Sequence, residues 1–132
     1  MRFARIFLRV MGWMSLVFGF LYLFAPESMT DPTGFPALGP NALTDVRATY
    51  GGLQIGLGLF LLWAVREEVR VRPALVLQVL LIGAVALSRA FGIAVDGARS
   101  GVLVGALVTE ISLTLLALVA LGRLGRTSTR AA

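Results

Sequence analysis

Four apolar runs dominate the chain, at roughly 6–25, 46–65, 74–95 and 101–121, with polar residues gathered between them. At a rise of about 1.5 Å per residue, each run is long enough to cross a hydrocarbon core of about 30 Å as a helix. The pattern predicts an all-α fold: an integral membrane four-helix bundle, with residues 1–132 as a single membrane domain. The first helix should stop at Pro26. Residues 26–44 hold four of the five prolines and two glycines, and read as an outer loop folded back toward the bundle mouth. Asn41 or Thr44 could cap the second helix, placing Asp45 where the helix dipole favours an anion. The charged segment Arg66–Arg72 predicts a short hairpin loop, with Pro73 in the first turn of the third helix. Asp96-Gly97 should close that helix and Ser100 should cap the fourth. The small polar tail after Gly125 is expected to lie beyond it, outside ordered structure.

Composition strengthens the membrane reading. The 132 residues are 58% hydrophobic with a mean hydropathy of +0.87, more apolar surface than a soluble domain of this size can hide. Cysteine and histidine are both absent. Disulfides and thiol chemistry are thereby excluded, and the commonest metal ligand, haem ligand and general base is missing. No metal and no cofactor is expected. Carboxylates, arginines, Tyr22 and Tyr50 are left for chemistry.

The net charge of +5 does not point to nucleic acid, because the arginines follow the apolar runs. Arg2, Arg5 and Arg9 open the first run; Arg66, Arg70 and Arg72 join the second to the third; Arg123, Arg126 and Arg130 follow the fourth. The opposite side carries Glu27, Asp31, Asp45 and Asp96 against Arg47 and Arg99. The positive-inside rule then puts both termini of a multi-pass membrane protein in the cytoplasm. The first run is read as a retained span, since Pro26 stands where a signal peptidase would cut and Leu23 and Phe24 occupy small-residue positions.

Small residues recur at helical spacing. Gly12, Ser15, Gly19 and Tyr22 share a face; Gly52 and Gly56 are four apart, as are Gly97, Gly101 and Gly105. Gly12, Gly19, Gly52, Gly56, Gly101 and Gly105 are therefore the expected packing positions, whether between helices of one chain or between copies in a homo-oligomer. GGLQIGLG is not a nucleotide loop, since no strand precedes it and no lysine follows.

Polar residues inside apolar helices carry the candidate chemistry. Arg47, Tyr50 and Gln54 fall at spacings of three and four on the second helix. Gln78, Arg89 and Asp96 fall on one face of the third, and Glu110 shares a face of the fourth with Thr114. Three such stripes predict a polar core of Asp45, Arg47, Tyr50, Gln54, Gln78, Arg89, Asp96 and Glu110. Arg89 lies roughly 9 Å, and Glu110 roughly 13 Å, from the same end of the bundle, so they are the natural ion pair. Arg47 lies shallower, within reach of Asp45 or Asp96.

Four readings of this core are open. The pair neutralises itself and fixes which helix faces which. The core is a pocket for an amphiphile, a quinone or an anionic headgroup, with Arg89 and Arg47 holding the head, Glu110 balancing Arg89, and Tyr50 and Gln54 donating hydrogen bonds. Glu110 is the titrating site of a small proton-coupled transporter. Glu110 or Asp96 serves a membrane enzyme as acid or base. The leading expectation is a non-enzymatic accessory or ligand-binding protein whose partners are the bilayer, an amphiphile or quinone-like ligand, and a second copy or another membrane protein.

The stretch NALTDVRATYGGLQIGLGLFLL at Asn41–Leu62, LSRAFGIAVDG at Leu87–Gly97, and Glu110 resemble a bacterial four-helix membrane family called domain of unknown function 4345. The run Asp45, Val46, Arg47, Ala48, Tyr50, Gly51, Gly52 is the most specific part of the resemblance, and Arg89 and Glu110 match as well. The resemblance implies four helices and a shared polar core, and implies no activity. In architecture the chain is similar to small quinone-linked membrane proteins of the DoxX kind. Four spans with one membrane glutamate resemble small multidrug exporters in outline, although those carry the acid in their first helix.

Overall fold

The computed structural model describes residues 1–98 and 100–128, with side chains to Leu124. Arg99 and residues 129–132, Arg130 among them, lie outside the described residues. Every regular element described is helical: α1 (Arg2–Phe24), α2 (Pro26–Thr30), a 3₁₀ turn (Asp31–Thr33), α3 (Pro40–Val46), a π-helical turn (Arg47–Gly52), α4 (Leu53–Ala64), α5 (Glu68–Asp96) and α6 (Gly101–Ser128). Three helices, α1, α5 and α6, are long and apolar enough to cross a membrane. The second apolar run is also helical throughout, since α3, the π turn and α4 follow one another without a break. Its α-helical stretches are simply cut short by the π turn.

Helices begin earlier than the apolar runs suggest, because a helix extends past its apolar part into polar turns. α1 starts at Arg2 and α5 at Glu68, so most of the segment expected as a hairpin loop is the first turns of α5. Glu67, in an extended conformation, is the residue before it, and Glu68 meets the positive end of the helix dipole. Pro73 consequently sits inside α5, past the first turn. Pro40, after Gly39, starts α3. Neither Asn41 nor Thr44 caps it; the Thr44 hydroxyl donates back to the Pro40 carbonyl at 2.9 Å. Asp45 is then near the end of α3, beyond the reach of the dipole it was expected to meet. α6 runs on through the first residues of the expected tail, to Ser128. Gly97, at φ 65°, ends α5 in the left-handed conformation that glycine adopts without strain, as the Asp96-Gly97 pair predicts.

The helices group into two compact units, residues 1–8 with 67–132, and residues 9–66. In the first, α5 and α6 form an antiparallel hairpin. Its buried side chains concentrate toward the arginine-rich end: Ala4, Phe7 and Leu8 on α1, Val71, Ala74 and Leu75 on α5, Ala117 and Ala120 on α6. At that end Arg5 approaches Glu68 at 4.0 Å and the Arg123 guanidinium lies 5.0 Å from the Phe3 ring centre. Only 6% of the apolar window of α6 is buried within the chain, so its surface requires an apolar medium or a partner.

The second unit is held by a close backbone approach. Gly12 and Gly19 on α1 are seven apart, and so are Gly51 and Gly58 on the facing helical run. A Cβ at Gly58 would lie 2.7 Å from the Gly12 carbonyl oxygen, and one at Gly19 would lie 2.8 Å from the Ile55 nitrogen. No side chain fits at either place without moving backbone. Gly52, Gly56, Gly101 and Gly105, also expected as packing positions, face open space within the chain. The seven-residue spacing, not the four-residue spacing, marks the intrachain contact. Gly58→Ala should therefore destabilise by about 1–3 kcal/mol through overpacking. Gly56→Ala, in open space, should be neutral or stabilising by up to about 1 kcal/mol. Thermal unfolding of both variants in one detergent checks this, and equal effects would refute the assigned contact.

Candidate functional site

The sequence-predicted polar residues fall into two sets, one in each unit. In the α5–α6 hairpin, Arg89 and Glu110 meet in a two-pronged ion pair. Arg89 Nε donates to Glu110 Oε1 at 3.0 Å and Oε2 at 2.9 Å, and Nη2 donates to Oε1 at 2.7 Å. A planar guanidinium set against a planar carboxylate gives both charge compensation and a fixed orientation. The side chains are 28% and 15% exposed, so the pair presents one edge outward. Thr114, one turn from Glu110, donates its hydroxyl to the Glu110 carbonyl oxygen at 2.8 Å and so adds no polar demand of its own.

Beside the pair, the same two helices leave an open apolar groove of about 260 Å³, lined by Gly83, Ala86, Leu87, Ile111, Thr114 and Leu115. Its origin is in the side chains: Gly83 and Ala86 are too small to fill the space between α5 and α6. Ala86 is one turn before Arg89, and Thr114 is one turn after Glu110, so the groove begins where the ion pair ends. Polarity alone gives no sequence signal for it; a small pair one to two turns from a buried charge is the mark to look for.

Gln78 lies further along α5 and is fully buried. Neither its Nε2 nor its Oε1 has a hydrogen-bond partner among the described residues. It shares a helical stripe with Arg89 but sits about 16 Å along the helix from it, too far to join the ion pair. Asp96 is at the exposed end of α5, its Oδ2 3.7 Å from where a Cβ on Gly92 would stand.

The other set belongs to the second unit. Arg47 does not pair with Asp45, which is exposed; its Nη1 donates to the carbonyl oxygen of Leu23, near the end of α1. This places a positive charge at the negative pole of that helix. Alongside, the Tyr50 ring stacks on Tyr22 with centroids 5.3 Å apart, and a Cβ on Gly51 would come within 3.2 Å of the Leu23 nitrogen. Arg47, Tyr50 and Gly51 thus all engage the last turn of α1 from one π-helical turn. That turn contains more residues than an α-turn, so the spacing that puts Arg47, Tyr50 and Gln54 on one face does not carry across it. Gln54 is half-buried, and no polar contact ties it to Arg47 or Tyr50.

The family model described as domain of unknown function, DUF4345, matches residues 3–121. The chain belongs to that family. No curated protein and no solved structure matches it. In this DUF4345 chain the run Asp45–Gly52, the most specific part of the resemblance, is the π turn and its approach. Its arginine, tyrosine and first glycine are the three residues that hold the end of α1. The other resembling positions, Arg89 and Glu110, are the ion pair.

Two outcomes follow for the DUF4345 core. Glu110→Gln leaves the Arg89 charge without its carboxylate and should destabilise by about 3–5 kcal/mol, whereas the double change Arg89→Met with Glu110→Leu should recover most of that loss. A double-mutant cycle on thermal unfolding measures the coupling, and additive effects would show that the pair contributes nothing. Gln78→Leu removes two unpaired polar atoms from a buried position and should be neutral or stabilising by about 1 kcal/mol. A large loss on melting would instead reveal a partner that Gln78 holds.

Proposed function

We propose that this DUF4345 protein is a four-span, multi-pass membrane protein that binds a lipid-like amphiphile, and that it acts as a non-enzymatic accessory or binding protein. The fourth span in this reading is the helical run 40–64, which the π turn interrupts without ending. Arginines crowd the end where the start of α1, the start of α5 and the end of α6 come together, so the positive-inside rule puts both termini in the cytoplasm of a bacterial inner membrane. The polar head of the ligand rests against the outward edge of the Arg89–Glu110 pair.

The observation that carries the reading is the junction of that pair with the apolar groove of Gly83, Ala86, Leu87, Ile111, Thr114 and Leu115. A ligand site is mostly apolar with a few placed polar groups, and here an interhelical charge pair lies one turn from an open apolar groove. A pair serving only to hold α5 against α6 gains nothing from such a space beside it. Arg47, which the polar stripes offer to the same headgroup, is instead committed to the end of α1 and is left out of the site.

The direct test is native mass spectrometry of protein released gently from membrane particles, wild type beside the charge-free double variant Arg89→Met with Glu110→Leu. The wild type should carry a defined small molecule that the double variant lacks while remaining folded by its melting curve. Bare protein in both samples, or the same bound lipids in both, would overturn the assignment.

A further inference from the structure

We infer that the occupant is a neutral, single-tailed lipid with a carbonyl head, of the prenylated quinone class, whose tail lies in the α5–α6 groove. The inference rests on the binding reading above and names the ligand class for that same site. Three features of the structure select it.

The first is charge. Arg89 is already met by Glu110 through Nε and Nη2 at 2.7–3.0 Å, and the pair sums to zero. An anionic head approaching the guanidinium meets the carboxylate at the same place, and displacing Glu110 would leave that carboxylate uncompensated in an apolar helix. A neutral carbonyl accepts a hydrogen bond from the pair's exposed edge without either penalty.

The second is depth. Arg89 is seven residues from the end of α5 at Asp96, and Glu110 nine from the start of α6 at Gly101. These separations put the pair about 10–13 Å inward from the end of the hairpin. A phospholipid holds its phosphate at the interface, where water solvates it. A neutral head can sit at the depth of the pair.

The third is the size and direction of the groove. Its volume of about 260 Å³ falls below the about 300–1,000 Å³ of pockets that enclose whole small molecules. It is lined by apolar side chains and by Thr114, whose hydroxyl is turned back to its own helix, so it suits one apolar chain rather than a pair of acyl chains. It runs from the ion pair toward the middle of the hairpin, which is where a tail continues when its head is held at Arg89–Glu110.

The test is photo-crosslinking of the full chain in lipid nanodiscs. One probe is a dimethoxybenzoquinone with a decyl tail bearing a diazirine near its middle; the other is phosphatidylcholine with the same diazirine-bearing chain. The quinone probe should label the segments around Gly83–Leu87 and Ile111–Leu115 in preference to the rest of the apolar surface. That preference should vanish in Gly83→Leu and in Leu87→Trp, which fill the groove from its floor and from its rim. Gly83 leaves only ordinary contact with Thr114 at 3.5 Å, and Leu87 is 74% exposed, so the second variant keeps the test valid if the first misfolds. Phosphatidylcholine should label exposed apolar surface evenly in all forms. Quinone retained by the wild type in native mass spectrometry but labelling evenly would overturn the groove assignment and leave the binding reading standing. Phosphatidylcholine labelling confined to the groove would overturn the single-tailed, carbonyl-headed ligand. No quinone retained by the wild type, with another molecule held at the pair, would overturn the ligand class alone; no molecule held at all would overturn the binding reading with it.

Discussion

Glu110 and Arg89 can each occupy an apolar helix because the other is there. On the membrane reading, a lone charge at that depth would cost several kcal/mol, and most of α6 makes little buried contact that could offset it. The pair therefore does more than close a gap between two helices. It fixes the rotation of α6 about its own axis, since turning the helix would swing Glu110 away from the guanidinium. With that rotation fixed, Thr114 faces Gly83, Ala117 and Ala120 are buried toward the arginine-rich end, and the groove is left beside the pair.

The second unit solves the same problem by shape instead of charge. Its helices touch through glycine backbones, and on the membrane reading dispersion and close approach there replace the hydrophobic effect that lipid cannot supply. The contact is unforgiving: each of Gly12, Gly19, Gly51 and Gly58 has backbone or branched side chain within 3.3 Å of the place a methyl would take. The π turn belongs to this arrangement, since it brings Gly51 against α1 while Arg47 and Tyr50 reach the end of the same helix. The two units of a small chain thus rely on different physics, directional and electrostatic in one, steric in the other.

Much of the helical architecture was legible in hydropathy alone, because an apolar run of about twenty residues has few alternatives to a helix. The starts of α1 and α5 were not, since Arg2 to Arg5 and Glu68 to Arg72 are polar turns that an apolar run does not include. The Arg89–Glu110 meeting was legible from two isolated charges at matching depth. The fate of Arg47 was not: side-chain arithmetic looks for a carboxylate, whereas the partner is a main-chain carbonyl, a group every residue has and no residue type announces. The π turn was hidden for a related reason, as nothing in RATYGG distinguishes a widened turn from an ordinary one. Glycine spacing held the information about packing, but the informative interval was seven residues and not the four of the familiar membrane motif.

The hydrogen bond from Arg47 to Leu23 joins residues 24 positions apart in the chain. On the membrane reading, α1 is a separate span from the helical run that carries Arg47. The last turn of α1 therefore takes the cap on its Leu23 carbonyl from the next helical segment. The first helix is completed by its successor: a chain cut before residue 47 would hold a first helix whose far end lacks this bond.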